Sequence, residues 1–360
     1  MMTSFLSVQV HTPIFLNNMR LLIITQKVDI NDSILGFFHW WIIEFAKHCE
    51  QVTVIALSVG EYDLPRSVRV FSLGKELGAG RVRRLFNFYR FLWRERKNYD
   101  VVFVHMNPIY VVLGGLIWKI LRKRIGLWYT HKHVDLKLRV AAKFTDIIFT
   151  ASRESFRLAS KKVKVVGHGI DVLKFSPASQ HHSDIYTIIS VGRLSLTKKQ
   201  HEMVEAFNIL RDRGFGGRLV LIGGPVTKAD IIYEKKVNDY IKDKKLEEHV
   251  FCVGPVSPDI AGSWYKKADM FVNLSETGSM DKAVLEAMAS GIQVVVSNEA
   301  FKNILPMDNF IHKNKNEIDG VVSKVELLST QAADPRMREY VIKNHSLSRL
   351  LPKIIEIIKQ

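Results

Sequence analysis

The sequence has few cysteines and no long apolar run. Its 360 residues include two cysteines, Cys49 and Cys252, which lie far apart and form no C-x-x-C pair. This pattern excludes a disulfide-rich secreted scaffold and a cysteine-based metal cluster, and it is typical of a reducing compartment. The longest apolar stretch runs from Tyr110 to Ile120 and already contains Lys119. Since a membrane-spanning helix needs ~20 apolar residues, we expect no transmembrane helix.

Acidic residues are also scarce relative to basic ones. The chain has 36 Asp and Glu against 52 Lys and Arg, which gives a formal net charge of +16. Such an excess favours polyanions or an anionic lipid surface as partners. No recognised helix-turn-helix or aromatic RNA-binding motif accompanies it, so we expect no nucleic-acid partner. No Asp-x-Asp lies at a strand end in the second half, so we expect no metal and no other cofactor.

Short β-rich runs alternate with helix-length amphipathic segments along both halves of the chain. This alternation is typical of βαβ units and predicts an α/β protein with two doubly wound Rossmann-like domains facing a central cleft. The predicted first domain spans 19–174 and the second 185–334, joined by the polar linker 175–184. Residues 335–360 are predicted to form helices that could pack back on the first domain. Residues 1–18 lack the pattern of a signal peptide, and we interpret them as a loose extension.

Two cations flank the first strand–helix junction of the second half. The strand IYTIISVG ends at Gly192, Arg193 follows it, and Lys198 opens the next helix. Cations at the carboxyl end of a strand and the amino end of a helix are well placed to bind the oxygens of a diphosphate. The alternative is that both are solvated cations of a turn.

A second segment, LSETGSMDKAVLEAMASG, leads from a strand into a helix. Its small residues Thr277, Gly278 and Ser279 precede the helix, whose free backbone N–H groups and dipole favour an anionic sugar phosphate. Glu286 shares a helix face with Lys282, and its carboxylate can accept hydrogen bonds from both hydroxyls of a ribose. The alternative is an exposed Lys282–Glu286 ion pair that stabilises the helix by ~0.3–0.5 kcal/mol.

The second half as a whole resembles the donor domain of the family 4 retaining glycosyltransferases (glycosyl transferases group 1), which have the B-type fold. The resemblance covers VGRLSLTKKQHEMVEAF, LVLIGGP, the run from VFCVGPVS to YKKADMFVNLS, and KAVLEAMASGIQVVVS. It implies that Arg193 and Lys198 bind the donor pyrophosphate as catalytic residues and that Glu286 holds the ribose. It also implies that the donor is contacted by Gly278, Ser279, Met280, Asp281, Lys282 and Leu285. Relatives usually have a second glutamate where this sequence has Gly278, so the identity of the donor sugar stays open.

The first half resembles the acceptor domain of the same family more weakly. Gly36, in the loop after the first strand, matches a position where relatives bring the backbone close to the donor phosphates. The alternative is an incidental glycine near a helix start. His131, in LWYTHKH at a strand end, matches a histidine that relatives place beside the transferred sugar, the alternative being a structural histidine. His133 and His168 are weaker candidates.

The basic segment RVRRLFNFYRFLWRERK predicts an amphipathic helix. Its main apolar stripe, which we expect to pack on the sheet, consists of Val82, Leu85, Phe86, Tyr89, Leu92 and Trp93. Phe88 and Phe91 lie outside that stripe among many arginines, an arrangement that suits anionic lipid headgroups. Family relatives that build envelope glycolipids bind membranes in this way. The alternative is a solvated crossover helix.

The sequence therefore predicts a retaining, metal-independent hexosyltransferase. It would move a sugar from a nucleotide diphosphate sugar to a saccharide or lipid-linked acceptor in cell-envelope glycan or glycolipid synthesis, in the cytoplasm at the inner face of the membrane. Retention is implied by the resemblance alone. Two alternatives stay open: a sugar-nucleotide epimerase of similar fold, and a basic polyanion-binding protein.

Overall fold

The fold is given by a computed structural model that describes residues 18–179, 185–276, 278–312 and 316–360. The interpretation of residues 1–18 as an extension therefore falls almost wholly outside the described residues. So does half of the predicted linker, residues 180–184. Within the described parts, the chain forms two separate parallel sheets.

The first sheet has seven parallel strands in the order β3-β2-β1-β4-β5-β6-β7 within the described residues. The strands are β1 (Arg20–Val28), β2 (Gln51–Val59), β3 (Val68–Ser72), β4 (Val101–His105), β5 (Arg124–Trp128), β6 (Ile147–Thr150) and β7 (Val163–Val165). The helices that cover it are α1 (Phe37–His48) on one face, and α2 (Arg81–Arg94), α3 (Pro108–Ile120) and α4 (Leu136–Phe144) on the other. Covering both faces explains why the central strands are continuous apolar runs.

The second sheet has five parallel strands in the order β10-β9-β8-β11-β12 within the described residues. The strands are β8 (Thr187–Val191), β9 (Arg218–Ile222), β10 (Val250–Gly254), β11 (Met270–Asn273) and β12 (Gln293–Val296). The helices are α5 (Gln200–Asp212), α6 (Lys228–Asp243) and α9 (Glu317–Leu328) on one face, and α7 (Pro258–Tyr265) and α8 (Lys282–Ala289) on the other. Both sheets are doubly wound, so the predicted fold class is confirmed.

The last two helices connect the second domain to the first. Helix α10 (Pro335–His345) packs on α8 of the second domain, and α11 (Leu347–Lys359) packs on α1 and β5 of the first. Gly126 of β5 allows this approach, because a Cβ there would lie 2.5 Å from Cδ1 of Ile358. The chain thus returns to the first domain through the short break at Ser346.

Helix α2 buries a different face from the one predicted. Its buried residues are Phe88, Phe91 and Leu92, whereas Val82, Leu85, Phe86, Tyr89 and Trp93 are exposed. Phe88 packs against Tyr110 and Trp118 of α3, and Phe91 stacks on Phe71 of β3. These aromatic contacts select the smaller apolar face, which periodicity alone could not reveal. No helix in the described ranges is long and apolar enough to cross a bilayer.

Candidate functional site

A cleft of about 650 Å³ lies between the two domains at the carboxyl ends of β8 and β9. The second domain supplies most of its walls, including Gly192, Gly223 and Pro255. The first domain contributes Ser33 and Phe37 from the loop after β1 and the start of α1. The order of the second sheet reverses between β8 and β11, and ligands of open parallel sheets bind at such a switch point.

Arg193 follows β8 on the wall of this cleft. Its Nε lies 3.7 Å from Oδ2 of Asp230, and its side chain is 44% exposed. Asp230 already accepts backbone N–H bonds from Val226 and Thr227 in the capping box that begins α6. The contact between Arg193 and Asp230 is therefore loose, and the guanidinium keeps donors available for an incoming anion.

Lys198 reaches the cleft from the short turn before α5. Its Nζ forms an ion pair with Asp281, which also accepts a hydrogen bond from Nδ2 of Asn273 at 3.1 Å. Burial alone would raise the pKa of Asp281, but the Lys198 charge and these hydrogen bonds hold that pKa below its ordinary value. Gly192 has a φ of +151°, and a Cβ there would lie 3.7 Å from Cε of Lys198. The glycine thus suits the backbone, while a Cβ would make only an ordinary contact with the lysine.

Glu286 and Lys282 form the ion pair that the sequence offered as an alternative, with Nζ 2.6 Å from Oε1. The pair is not a surface pair, because Glu286 is only 8% exposed and both residues line the cleft. The second carboxylate oxygen accepts a hydrogen bond from the Tyr265 hydroxyl at 3.3 Å. The ammonium of Lys282 lies 4.4 Å from the ring centroid of Phe37, so this wall also contacts the first domain. Glu286 is thereby held in one orientation.

The loop before α8 divides the predicted sugar-contacting residues between two sides. Asp281 and Lys282 line the cleft, whereas Met280 lines a different cavity. Gly278 has a φ of +63°, in the left-handed region that favours glycine. The carbonyl of Ser279 accepts a hydrogen bond from Nδ2 of Asn298 at 2.9 Å, which fixes the loop.

Two further predicted residues contribute differently from what was expected. Leu285 is fully buried in the core of the second domain, so its side chain does not face the cleft. A Cβ on Gly36 would lie 2.5 Å from the carbonyl oxygen of Asp32 and 3.0 Å from Cδ of Pro258. Gly36 therefore allows the loop after β1 to fold tightly against itself and against α7, and its neighbours, rather than Gly36, form the described wall.

His131 lies in the exposed loop after β5, and the described walls of the cleft do not include it. Its Nδ1 accepts a hydrogen bond from the backbone N–H of His133 at 3.0 Å. Partial burial, followed by the charges of His133 and Lys132, lowers its pKa. The neighbouring Lys132 extends towards the second domain, with Nζ 3.8 Å from where a Cβ on Gly278 would lie. Lys132 was missed in the sequence, where its only signal was a cation inside the motif LWYTHKH.

The other residues that sequence reasoning missed are the partners of the predicted ones. They are Asp230, Tyr265, Asn273 and Phe37. Asp230, Tyr265 and Phe37 are distant in sequence from the residues they contact, and Asn273 lies eight residues before Asp281. Among the described residues, no group of three or more His, Cys, Asp and Glu side chains could hold a metal ion.

Comparison with known proteins gives a family match and several named relatives. Residues 172–345 match the family described as glycosyl transferases group 1. Mannosylfructose-phosphate synthase from Agrobacterium fabrum is 26% identical over 40% of this chain and 34% of its own length. Alpha-monoglucosyldiacylglycerol synthase from Streptococcus pneumoniae is 24% identical over 47% of this chain and 35% of its own length. The chain thus matches about a third of the length of these two relatives.

A longer match is to an Escherichia coli UDP-Gal:alpha-D-GlcNAc-diphosphoundecaprenol alpha-1,3-galactosyltransferase, which is 26% identical over 73% of this chain and 70% of its own length. Among solved structures, Anabaena HepE in complex with UDP and glucose has a TM-score of 0.72 at 16% identity, covering 95% of this chain and 100% of that chain. Sucrose-phosphate synthase from Thermosynechococcus elongatus has a TM-score of 0.68 at 13% identity, covering 94% and 98%. At these identities the structures show the fold, and they confirm the two-domain architecture. The named relatives give the epimerase alternative no support.

Proposed function

Since residues 172–345 of this chain belong to the glycosyl transferases group 1 family, we propose that the protein is a glycosyltransferase that uses a nucleotide diphosphate sugar. The observation that carries the proposal is that one interdomain cleft brings together Arg193 and Lys198 with Glu286. Relatives named for lipid-linked and diacylglycerol acceptors support a saccharide or lipid-linked acceptor and a place in envelope glycan or glycolipid synthesis.

The positive charges of the cleft are placed to stabilise a nucleoside diphosphate as the leaving group. The guanidinium of Arg193 and the ammonium of Lys198 stabilise the negative charge that develops on the leaving diphosphate. Lys198 is already positioned by Asp281, so it need not be ordered when the donor binds. These cations supply the charge stabilisation for which other transferases use a divalent ion, and we expect turnover to continue in the presence of EDTA.

The ribose of the donor binds at Glu286. Its diol would replace the Lys282 ammonium at the carboxylate, while Tyr265 keeps the second oxygen oriented. The transferred sugar then lies near the loop from Gly278 to Lys282, which Lys132 approaches from the first domain. We propose that His131, which neighbours Lys132 in the loop after β5, also lies near the transferred sugar.

Transfer proceeds with retention of anomeric configuration, by attack of the acceptor hydroxyl on the same face as the departing diphosphate. A double displacement would need a free carboxylate nucleophile. The carboxylates in the described wall of the cleft are Asp281 and Glu286, and each is paired with a lysine. Proton NMR of the new glycosidic bond tests this, since inversion would contradict it.

Helix α2 is proposed to bind an anionic membrane surface. Phe86 and Trp93 are 65% and 60% exposed, and the rim of this face carries exposed arginines at 81, 83 and 90. The neighbouring helix α3, contacted by the Tyr89 hydroxyl at the carbonyl of Leu113, adds the exposed side chains of Leu116 and Ile120. An apolar face with a basic rim is the surface that inserts among anionic headgroups.

The function is tested by thermal unfolding with uridine and guanosine diphosphate sugars. A true donor at 100 times its Kd stabilises the fold by ~2.7 kcal/mol. Arg193→Ala should remove most of this stabilisation and of the turnover. Arg213→Ala is the matched control, because Arg213 pairs with Glu326 on the surface at 3.1 Å. Unchanged turnover in both Arg193→Ala and Glu286→Ala would refute the site.

A further inference from the structure

A second cavity of about 440 Å³ lies between the domains, on the other side of the loop before α8. Its walls come from three parts of the chain: the segments after β6 and β7, the segment after β12, and the junction of α10 with α11. Met280 lines this cavity and the next residue, Asp281, lines the donor cleft. The two spaces are therefore separated by a single loop.

The walls of this second cavity are strongly basic. The cations are Arg153, Lys343, Arg349 and Lys353, and all four are exposed. None of them has an ion-pair partner among the described residues. The carboxylates of the walls are Glu154 and Glu299, so the cations outnumber them two to one. A concave surface with uncompensated positive charge attracts anions.

One buried group of the wall also lacks a partner. His345 is 4% exposed, and its Nδ1 accepts a hydrogen bond from the backbone N–H of His168 at 3.2 Å. Burial lowers the pKa of His345 to about 4, so the ring is neutral at pH 7 and carries its proton on Nε2. That Nε2 is buried and has no hydrogen-bond partner in the described parts of the chain. A buried donor without an acceptor is unfavourable unless a ligand supplies one.

We propose that this second cavity binds a phosphate or diphosphate group carried by the acceptor. Guanidinium and ammonium groups together are the usual protein ligands of phosphate oxygens, and a neutral saccharide would not need four of them. A phosphate held here places the rest of the acceptor beside the loop from Ser279 to Asp281, and hence beside the donor sugar. The inference rests on the proposed function and narrows its acceptor to phosphorylated compounds.

Calorimetric titration with inorganic pyrophosphate separates the two sites. The wild type should bind at two sites. Arg349→Ala/Lys353→Ala should weaken binding in the second cavity at least tenfold. Arg193→Ala/Lys198→Ala should weaken binding in the donor cleft at least tenfold. Lys235→Ala/Lys236→Ala is the control: it removes the same charge from exposed positions of α6 and should leave pyrophosphate binding at both sites unchanged. Arg153→Ala alters the first-domain wall alone and should weaken the same site as the first double variant, which guards against a folding defect.

The outcomes distinguish this inference from the proposed function. Unchanged pyrophosphate binding in Arg349→Ala/Lys353→Ala and in Arg153→Ala would overturn the inference and leave the donor site intact. Unchanged binding in Arg193→Ala/Lys198→Ala would instead count against the donor site.

The source of the phosphate is tested by turnover. With hexose 1-phosphates and the corresponding free hexoses as acceptors, the wild type should prefer the phosphorylated members at least tenfold in kcat/KM. Arg349→Ala/Lys353→Ala should lose that preference because its KM for the phosphorylated acceptors rises. Its rate of donor hydrolysis without an acceptor should be unchanged. A panel without this preference would overturn the assignment to the acceptor.

Discussion

The donor cleft and the second cavity lie on either side of one loop, yet they compensate their charges in opposite ways. In the cleft, each of the three cations has a carboxylate partner, and the pairs are Arg193–Asp230, Lys198–Asp281 and Lys282–Glu286. In the second cavity, the four cations have no such partner among the described residues. The charged side chains of the cleft are therefore positioned before its ligand arrives, and the ligand replaces some of their present partners. The second cavity depends on a ligand to supply its missing negative charge.

The largest expected effect comes from breaking the most buried pair of the cleft. Lys198→Ala should lower turnover by about 10² to 10³-fold, since it removes charge stabilisation at the leaving diphosphate. It should also destabilise the fold by about 3 kcal/mol, because Asp281 is left buried and uncompensated. Unfolding midpoints in urea and steady-state rates measure the two effects.

A double variant separates these two consequences. Lys198→Ala/Asp281→Asn removes the uncompensated carboxylate, so most of the lost stability should return while turnover stays low. Recovery of turnover together with stability would show that Lys198 has only a structural role.

Glu286→Gln should raise the KM for the donor about 10 to 100-fold. The amide keeps the shape of the side chain but loses the charge-assisted hydrogen bonds to the ribose, worth about 1.5–3 kcal/mol. Glu326→Gln is the control, since that carboxylate pairs with Arg213 on the surface. With a 2′-deoxyribose donor, which keeps only one of the two hydroxyls, the KM difference between the wild type and the Glu286→Gln variant should shrink. An undiminished difference would argue against ribose binding.

His345, the buried histidine in the wall of the second cavity, should make stability depend on pH. The folded pKa of His345 is about 4, below the unfolded value of ~6.5, so the unfolded chain binds more protons between these values. Stability is therefore present above pH 6.5 and is lost as the pH falls, by about 2 kcal/mol between pH 7 and pH 5 for this residue. Denaturant unfolding of the wild type and of His345→Asn at both pH values measures it, and equal losses in both proteins would contradict the assignment.

The smallest expected effect concerns the surface away from both cavities. Phe86→Ser/Trp93→Ser should weaken binding to vesicles containing anionic phosphatidylglycerol about tenfold, because apolar side chains that insert among the headgroups are lost. Phe251→Ser, at an exposed apolar residue of the second domain, is the control. Co-sedimentation that is insensitive to anionic lipid content would exclude this mode of binding.

The alternation of strands and helices was sufficient to predict both sheets, because burial on two faces imposes apolar strands and amphipathic helices. Local sequence also singled out Arg193, Lys198 and Glu286, which the structure brings to one cleft, because each lies at a strand end or on a helix that local sequence defines. Their partners could not be singled out in this way, because Asp230 and Tyr265 contact them only through the tertiary fold.

Which side of a helix or loop is buried was harder to predict than where the helices and strands lie. On α2, the periodicity favoured the larger apolar stripe, and contacts of Phe88 and Phe91 with neighbouring aromatic rings selected the smaller one. In the loop before α8, Met280 and Asp281 are adjacent in sequence but line different cavities. The second cavity left no sequence signal, because its cations come from segments almost 200 residues apart, Arg153 in one and Lys343 to Lys353 in the other.

Whether the interdomain cleft binds the donor is decided by a crystal structure of the protein with a bound nucleotide diphosphate sugar. We expect the diphosphate within hydrogen-bond distance of Arg193 and Lys198, both ribose hydroxyls on Glu286, and Lys282 displaced from that carboxylate. A donor found in the second cavity, or in the cleft with its ribose away from Glu286, would contradict this expectation.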